Sequence, residues 1–256
     1  MTDNRLKLNP DKSHLLVFCS SQARARTQCA DLVKIETDDE TIKPSKSEKL
    51  LGCRIQDDFK WTEHLRDNEE SLIKSLNVRL NALKLISRIS DFKTRKMFAN
   101  GIFHSKLIYM ISVWSSCTKD LVNAIQILQN RAARIITKNS WDISSKENLN
   151  QVGWLSVNQL AQYQSVILLH KVKLFGSPNY MKNMYNWNYS YQTRQAESKK
   201  LRPIGTPKLE IGKRSFRWRA SQEYNSLPEE ITQIEDIISF KTQAKKWMML
   251  NVPVKK

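Results

Sequence analysis

Two adjacent carboxylate pairs, one stripe of cations and one cation cluster with aromatics inside it are the places where this chain could do chemistry. Asp38-Asp39 and Asp57-Asp58 are acids of the kind that hold divalent metals for phosphoryl transfer. Each reads more simply as a solvated turn or a cap, so no catalytic residue and no metal ligand is expected. Residues 194–219 carry nine Lys or Arg against two Glu. Among them are Arg194 and the run Lys213-Arg214-Ser215-Phe216-Arg217-Trp218-Arg219. Phosphate contacts with base stacking would suit a single strand or a structured RNA. The alternative is that Phe216 and Trp218 anchor a core. Arg131, Arg134 and Lys138 lie at i, i+3 and i+7, on one stripe of an expected helix that suits duplex phosphates. A solvated helix face is the other reading. His14, His64, His104 and His170 are scattered, and neither a G-x-S-x-G nor a phosphate-cradling glycine loop occurs. Cys19, Cys29, Cys53 and Cys117 form no C-x-x-C pair and read as reduced thiols.

The elements that must position these residues follow from composition and period. A length of 256 residues accommodates one large or two modest domains, and 40% hydrophobic content argues for a folded core. The net charge of +17 is uneven: residues 31–70 hold twelve acids against seven bases, so the rest of the chain carries the surplus. Such a surface attracts polyanions. Short apolar runs at Leu15-Leu16-Val17-Phe18, Leu32-Val33-Lys34-Ile35 and Leu50 to Ile55 predict strands, too few to bury both faces of a sheet. From Leu65 through Leu72, Leu76, Leu80 and Leu83 to Ile86 the period turns helical, with Thr62 as the expected N-cap. A second helix should start at Ser90 or Asp91 and run through Trp114. A third should bury Leu121, Ala124, Ile125, Leu128, Ala132, Ile135 and Ile136. Further helices over 139–190 are broken by Gly153, Gly176 and Pro178. A basic loop is expected over 192–219, and a last helix from about Ile237 to Leu250. No apolar run is long enough to span a bilayer and no signal peptide opens the chain, which leads to the expectation of an intracellular protein without membrane partners.

Several short motifs resemble one family. Lys7-Leu8-Asn9-Pro10-Asp11-Lys12-Ser13 followed by Leu51-Gly52-Cys53-Arg54-Ile55-Gln56-Asp57, then Trp61 and His64, resembles the last two palm motifs of reverse transcriptases from non-LTR (LINE-like, jockey-type) retrotransposons. Lys49-Leu50 departs from the aromatic usual before the Leu-Gly. Leu128-Gln129-Asn130-Arg131-Ala132-Ala133-Arg134-Ile135-Ile136 is similar to the family's Q-N-x-A-x-R-I-I helix. Trp154-Leu155-Ser156-Val157 is similar to its W-L-P-V segment, with Ser156 in place of Pro. Thr193-Arg194, Arg214-Ser215-Phe216, Asn225-Ser226-Leu227-Pro228 and Phe240-Lys241 follow in the family's order, with Tyr224 where it has Trp.

The resemblance implies an α+β chain: a small antiparallel palm remnant over 1–60, a helical thumb over 61–138 and a helical post-thumb region over 139–256. It implies that Leu51, Gly52 and Cys53 match the hairpin gripping the primer end. It implies that Lys12 matches a lysine near the incoming nucleotide; a strand-start lysine in solvent is the other reading. The family's metal-binding aspartates precede these motifs, so the expectation is a truncated reverse transcriptase that is not itself an enzyme. Residual binding of RNA or DNA would remain. No cofactor is expected, since Mg²⁺ belongs to a complete polymerase. The alternatives are a non-catalytic module docking on another protein, with the exposed palm edge as its interface, and the tail of an active RNA-directed DNA polymerase.

Overall fold

The computed structural model describes residues 9, 12–19, 33–36, 41–185, 201 and 204–251. The chain divides into two compact units, Met1–Lys74 and Ser75–Lys256. It is mixed α+β, mainly helical, with short strands confined to small sheets.

In the first unit the described strands are β1 (Leu15–Leu16), β2 (Ile35–Glu36), β3 (Thr41–Ile42), β4 (Pro44–Ser45), β5 (Ser47–Leu50) and β6 (Cys53–Gln56). β2 pairs with β3 and β5 with β6 antiparallel, whereas β1 pairs with β4 parallel, so the sheets are not wholly antiparallel as expected. The expected strand over Leu50 to Ile55 is instead a hairpin, because Leu50 pairs with Cys53 across a two-residue turn. Leu51 and Gly52 occupy that turn at φ 49° and 79°. Positive φ at both positions matches the twist of the flanking strands, and Gly52 adopts it without strain.

Beyond β6 the Gln56 amide oxygen accepts from the Thr62 hydroxyl at 3.3 Å and from the Glu63 backbone N–H at 3.1 Å. This bends the chain into a π-helical turn, Glu63–Asp67. Thr62 is therefore not the expected N-cap: its backbone is already helical and its side chain makes no capping bond. The expected helix from Leu65 to Ile86 breaks at Asn68, whose side-chain oxygen accepts from Glu70 N–H at 2.9 Å. A side chain that satisfies the backbone two residues on favours a turn over a helix.

α1 (Leu72–Ser87) begins in the first unit and continues into the second. Of the two expected caps, Ser90 and Asp91, it is Asp91 that caps α2 (Phe92–Ala99), accepting from Thr94 N–H at 3.0 Å. A π-helical turn, Asn100–His104, leads into α3 (Ser105–Ile108). A left-handed Met110 then interrupts the expected continuous helix before α4 (Ile111–Trp114). α5 (Lys119–Thr137), α6 (Ser145–Val152), α7 (Val157–Phe175) and α8 (Asn179–Met184) follow. After them come α9 (Glu210–Arg214), α10 (Phe216–Asn225), α11 (Glu229–Thr232) and α12 (Ile237–Asn251). The expected basic loop thus carries α9 and the start of α10 from Glu210 onward, with Ser215 between them; its parts at 192–200 and 202–203 lie outside the described residues.

α7 is the hub of the second unit, packing against α4, α5, α8, α10 and α12. Its buried positions, from Val157 and Leu160 to His170 and Val172, occur around the cylinder, as a helix enclosed by others requires. Ser156 and Gln159 close a reciprocal capping box at its start. Gln159 also donates to the Met248 carbonyl at 2.8 Å, fastening α12. Gln126 accepts from Val157 N–H at 2.8 Å and Gln129 donates to the Leu155 carbonyl at 2.9 Å, fastening α5. No helix of the described residues is long and apolar enough to cross a membrane.

Candidate nucleic-acid interface

α5 turns Leu121, Val122, Ile125, Leu128, Ala132, Ala133 and Ile136 inward, which leaves its cations on the outer surface. Arg131 and Lys138 are exposed. Arg134 is not equivalent to them. It is half-buried and donates from Nη2 to the Ile143 carbonyl at 2.9 Å, holding the loop that follows α5. Its guanidinium lies 4.6 Å from the centroid of Trp141, whose side chain is 85% exposed. A ring with a cation against one face and solvent at the other is a stacking platform for a planar ligand.

The second cluster is also divided by its fold. Arg214 and Arg217 are exposed, while Lys213 pairs with Glu210 at 2.6 Å. Arg219 points into the protein, donating to the Ser112 carbonyl at 2.7 Å, with Nε 3.7 Å from the Glu223 carboxyl. Burial pushes that carboxyl up to about 7 against the opposing pull of Arg219. Trp218 has a buried indole N–H without a hydrogen-bond partner, an anchoring environment rather than an open stacking face. Arg194 lies outside the described residues.

Of the residues matched to the palm motifs, Gly52, Arg54 and His64 line one shallow cleft. In the hairpin Leu51 is 75% exposed while Cys53 is fully buried, so the turn presents Leu51 and Gly52 outward. Lys12 is exposed, its N–H donating to the Asn9 carbonyl at 3.3 Å in a single turn. His64 accepts from Arg54 N–H at 3.4 Å, within the supporting structure of β6. Asp57 is buried, Asp58 pairs with Lys60 at 2.9 Å, and Asp38 and Asp39 lie outside the described residues. Among the described residues no group of three or more His, Cys, Asp or Glu could hold a metal ion.

Three features escaped the sequence reading. Trp141 was one: no periodicity marks an exposed tryptophan in a loop. Arg95 was another; it is buried on α2 and donates to the Ile136 carbonyl at 2.7 Å and the Ser90 carbonyl at 2.6 Å, closing the end of α5. The third is a buried clamp of His170, Tyr224 and Lys173. His170 Nε2 lies 2.8 Å from the Ile234 carbonyl, which only accepts, so Nε2 carries the proton. Nδ1 then accepts from the Tyr224 hydroxyl at 3.0 Å. Lys173 donates to the Thr232 carbonyl at 2.8 Å, and Phe240 stacks on the imidazole at 3.5 Å. The Tyr224 hydroxyl gives α10 a polar partner on α7.

No protein-family model matches the chain, and no curated protein and no solved structure matches it at a significant level.

Proposed function

We propose that this chain is the end of the palm, the thumb and the post-thumb region of a LINE-like reverse transcriptase, without polymerase activity of its own, that binds RNA or DNA. The ordered motif matches over almost the whole sequence support the family reading. The observation that carries the binding reading is electrostatic. Arg131, Lys138, Arg214 and Arg217 are exposed and make no salt bridge among the described residues, in a chain of net charge +17. Cations held at the surface without carboxylate partners attract phosphates and release counterions on binding.

Trp141 supplies the stacking role that the sequence reading gave to Trp218. Trp141→Ala is expected to weaken binding of a single-stranded oligonucleotide by roughly tenfold, in line with about 1–3 kcal/mol per stacked base. Duplex binding should change little. Fluorescence anisotropy with both probes checks this, and an equal loss on the two would remove Trp141 as a stacking residue. Because the side chain is exposed, the substitution should leave stability within about 0.5 kcal/mol. Primer extension on a homopolymer template with Mg²⁺ or Mn²⁺ is expected to yield no product. Incorporation above a control without protein would end the non-catalytic reading.

The alternative, a protein-docking module, draws on the exposed apolar hairpin tip at Leu50 and Leu51. An apolar interface would be far less sensitive to salt than phosphate contacts are.

A further inference from the structure

A groove of about 460 Å³ opens on the second unit between the start of α7 and the outer face of α12, lined by Gly153, Tyr163, Lys241, Lys245, Met249 and Leu250 among others. Lys241 and Lys245 are one helical turn apart on α12, and Lys246 and Thr242 join them at the wall. Lys96 reaches the same place from α2. A Cβ built on Gly153 would lie 3.9 Å from Lys96 Nζ, so the ammonium sits against the left-handed glycine that forms the groove's edge. These four lysines make no salt bridge among the described residues. Lys245 is half-buried, and its ammonium is held below the usual lysine range by burial first and by the charge of Lys96 second. The floor is apolar: Met249, Leu250 and the Tyr163 ring, whose hydroxyl is satisfied by donating to the Lys241 carbonyl at 3.2 Å.

Bringing like charges together from α2 and α12, with one of them partly desolvated, is unfavourable unless an anion offsets it. Lysine ammoniums are compact donors suited to phosphate oxygens. An open groove with cations along its wall and an apolar floor accommodates an extended strand better than an enclosed metabolite. We propose that this groove is a phosphodiester-binding site, taking the backbone of a nucleic-acid strand with Lys245 on its wall, Lys96 at its edge and a base or sugar over the Tyr163–Met249 floor. The proposal rests on the nucleic-acid reading above and adds a site that none of its motifs contain.

The test uses the full chain and a fluorescent single-stranded oligonucleotide about a dozen nucleotides long. Lys96→Gln/Lys245→Gln is compared with Lys84→Gln/Lys119→Gln, which removes the same charge from two exposed lysines elsewhere. The groove variant should bind roughly tenfold more weakly than the control variant, and its salt slope should fall by about 1.5, close to two lost phosphate contacts. In the parent, acylation of Lys245 by a succinimidyl ester, read by mass spectrometry, should be slowed by the oligonucleotide. Inorganic phosphate at the same phosphate concentration should not slow it. This footprint needs no substitution, so it decides the matter even if the groove variant folds poorly. If the parent binds the oligonucleotide but both variants bind alike and Lys245 stays unprotected, the groove proposal is overturned and the general binding reading stands. If inorganic phosphate protects as well as the strand, the assignment to a strand is overturned. If the parent binds no oligonucleotide, both readings fail together.

Discussion

His170→Ala is expected to lower the stability of the second unit by about 3–5 kcal/mol, the range for removing a large buried side chain together with its hydrogen bonds. The imidazole is fully buried, stacks on Phe240 at 3.5 Å and bonds at both nitrogens. Its loss takes the donor from the Ile234 carbonyl and opens a cavity where α7, α10 and α12 meet. Urea unfolding followed by far-ultraviolet circular dichroism measures the change. A loss below about 1 kcal/mol would mean that the three helices hold together without this clamp.

The same histidine gives the fold an acid sensitivity. Burial, helped by the charge of Lys173, lowers its folded pKa from 6.5 to about 4. The unfolded chain therefore binds a proton that the folded chain refuses between those values. Its contribution is fully present above pH 6.5 and is lost as pH falls through 4, on the order of 3 kcal/mol in all. His104, also lowered to about 4 by burial, acts in the same direction. Glu223 acts oppositely: raised to about 7, it favours the folded state below pH 4.5 and loses that effect as pH rises through 7. The parent should thus show a shallow decline between pH 6.5 and 4.5. Glu223→Gln, which removes the opposing group, should make that decline steeper.

The parts of the fold legible in the sequence are those where one side of an element meets solvent. α5 alternates Leu121, Ile125, Leu128, Ala132 and Ile136 with charges, and Asp91 before an apolar run marks the start of α2. The hub was not legible as such, because α7 is buried on several sides and has no stripe to read. By apolar content alone the Leu50–Ile55 run looks like a strand for the opposite reason: a two-residue turn takes up almost no sequence, and the hairpin was expected there only from the resemblance. The cations divide in a similar way. Spacing places Arg131, Arg134 and Lys138 on one side of a helix, but not the loop that folds back so that Arg134 meets the Ile143 carbonyl. Local composition likewise counts Arg219 with Arg214 and Arg217, although the Ser112 carbonyl that claims it is far away in sequence. The charge of Lys96 reaches Lys245 only because α2 packs on α5 and α12 on α7, which no local pattern records.

Binding of a single-stranded oligonucleotide by the full chain should fall roughly 50- to 300-fold between about 50 and 200 mM salt, as expected for about four to six neutralised phosphates. Replacing Arg131, Lys138, Arg214 and Arg217 with Ala should flatten that dependence by about 0.7 of a unit of slope per lost contact. All four side chains are exposed, so the variant should keep the parent's folded signal. The most direct measurement of the central claim is the salt dependence of the parent itself, by anisotropy at fixed pH and temperature. A log–log slope between about −3 and −4 is the predicted result; affinity that is undetectable at about 50 mM salt, or that does not change with salt, would contradict it.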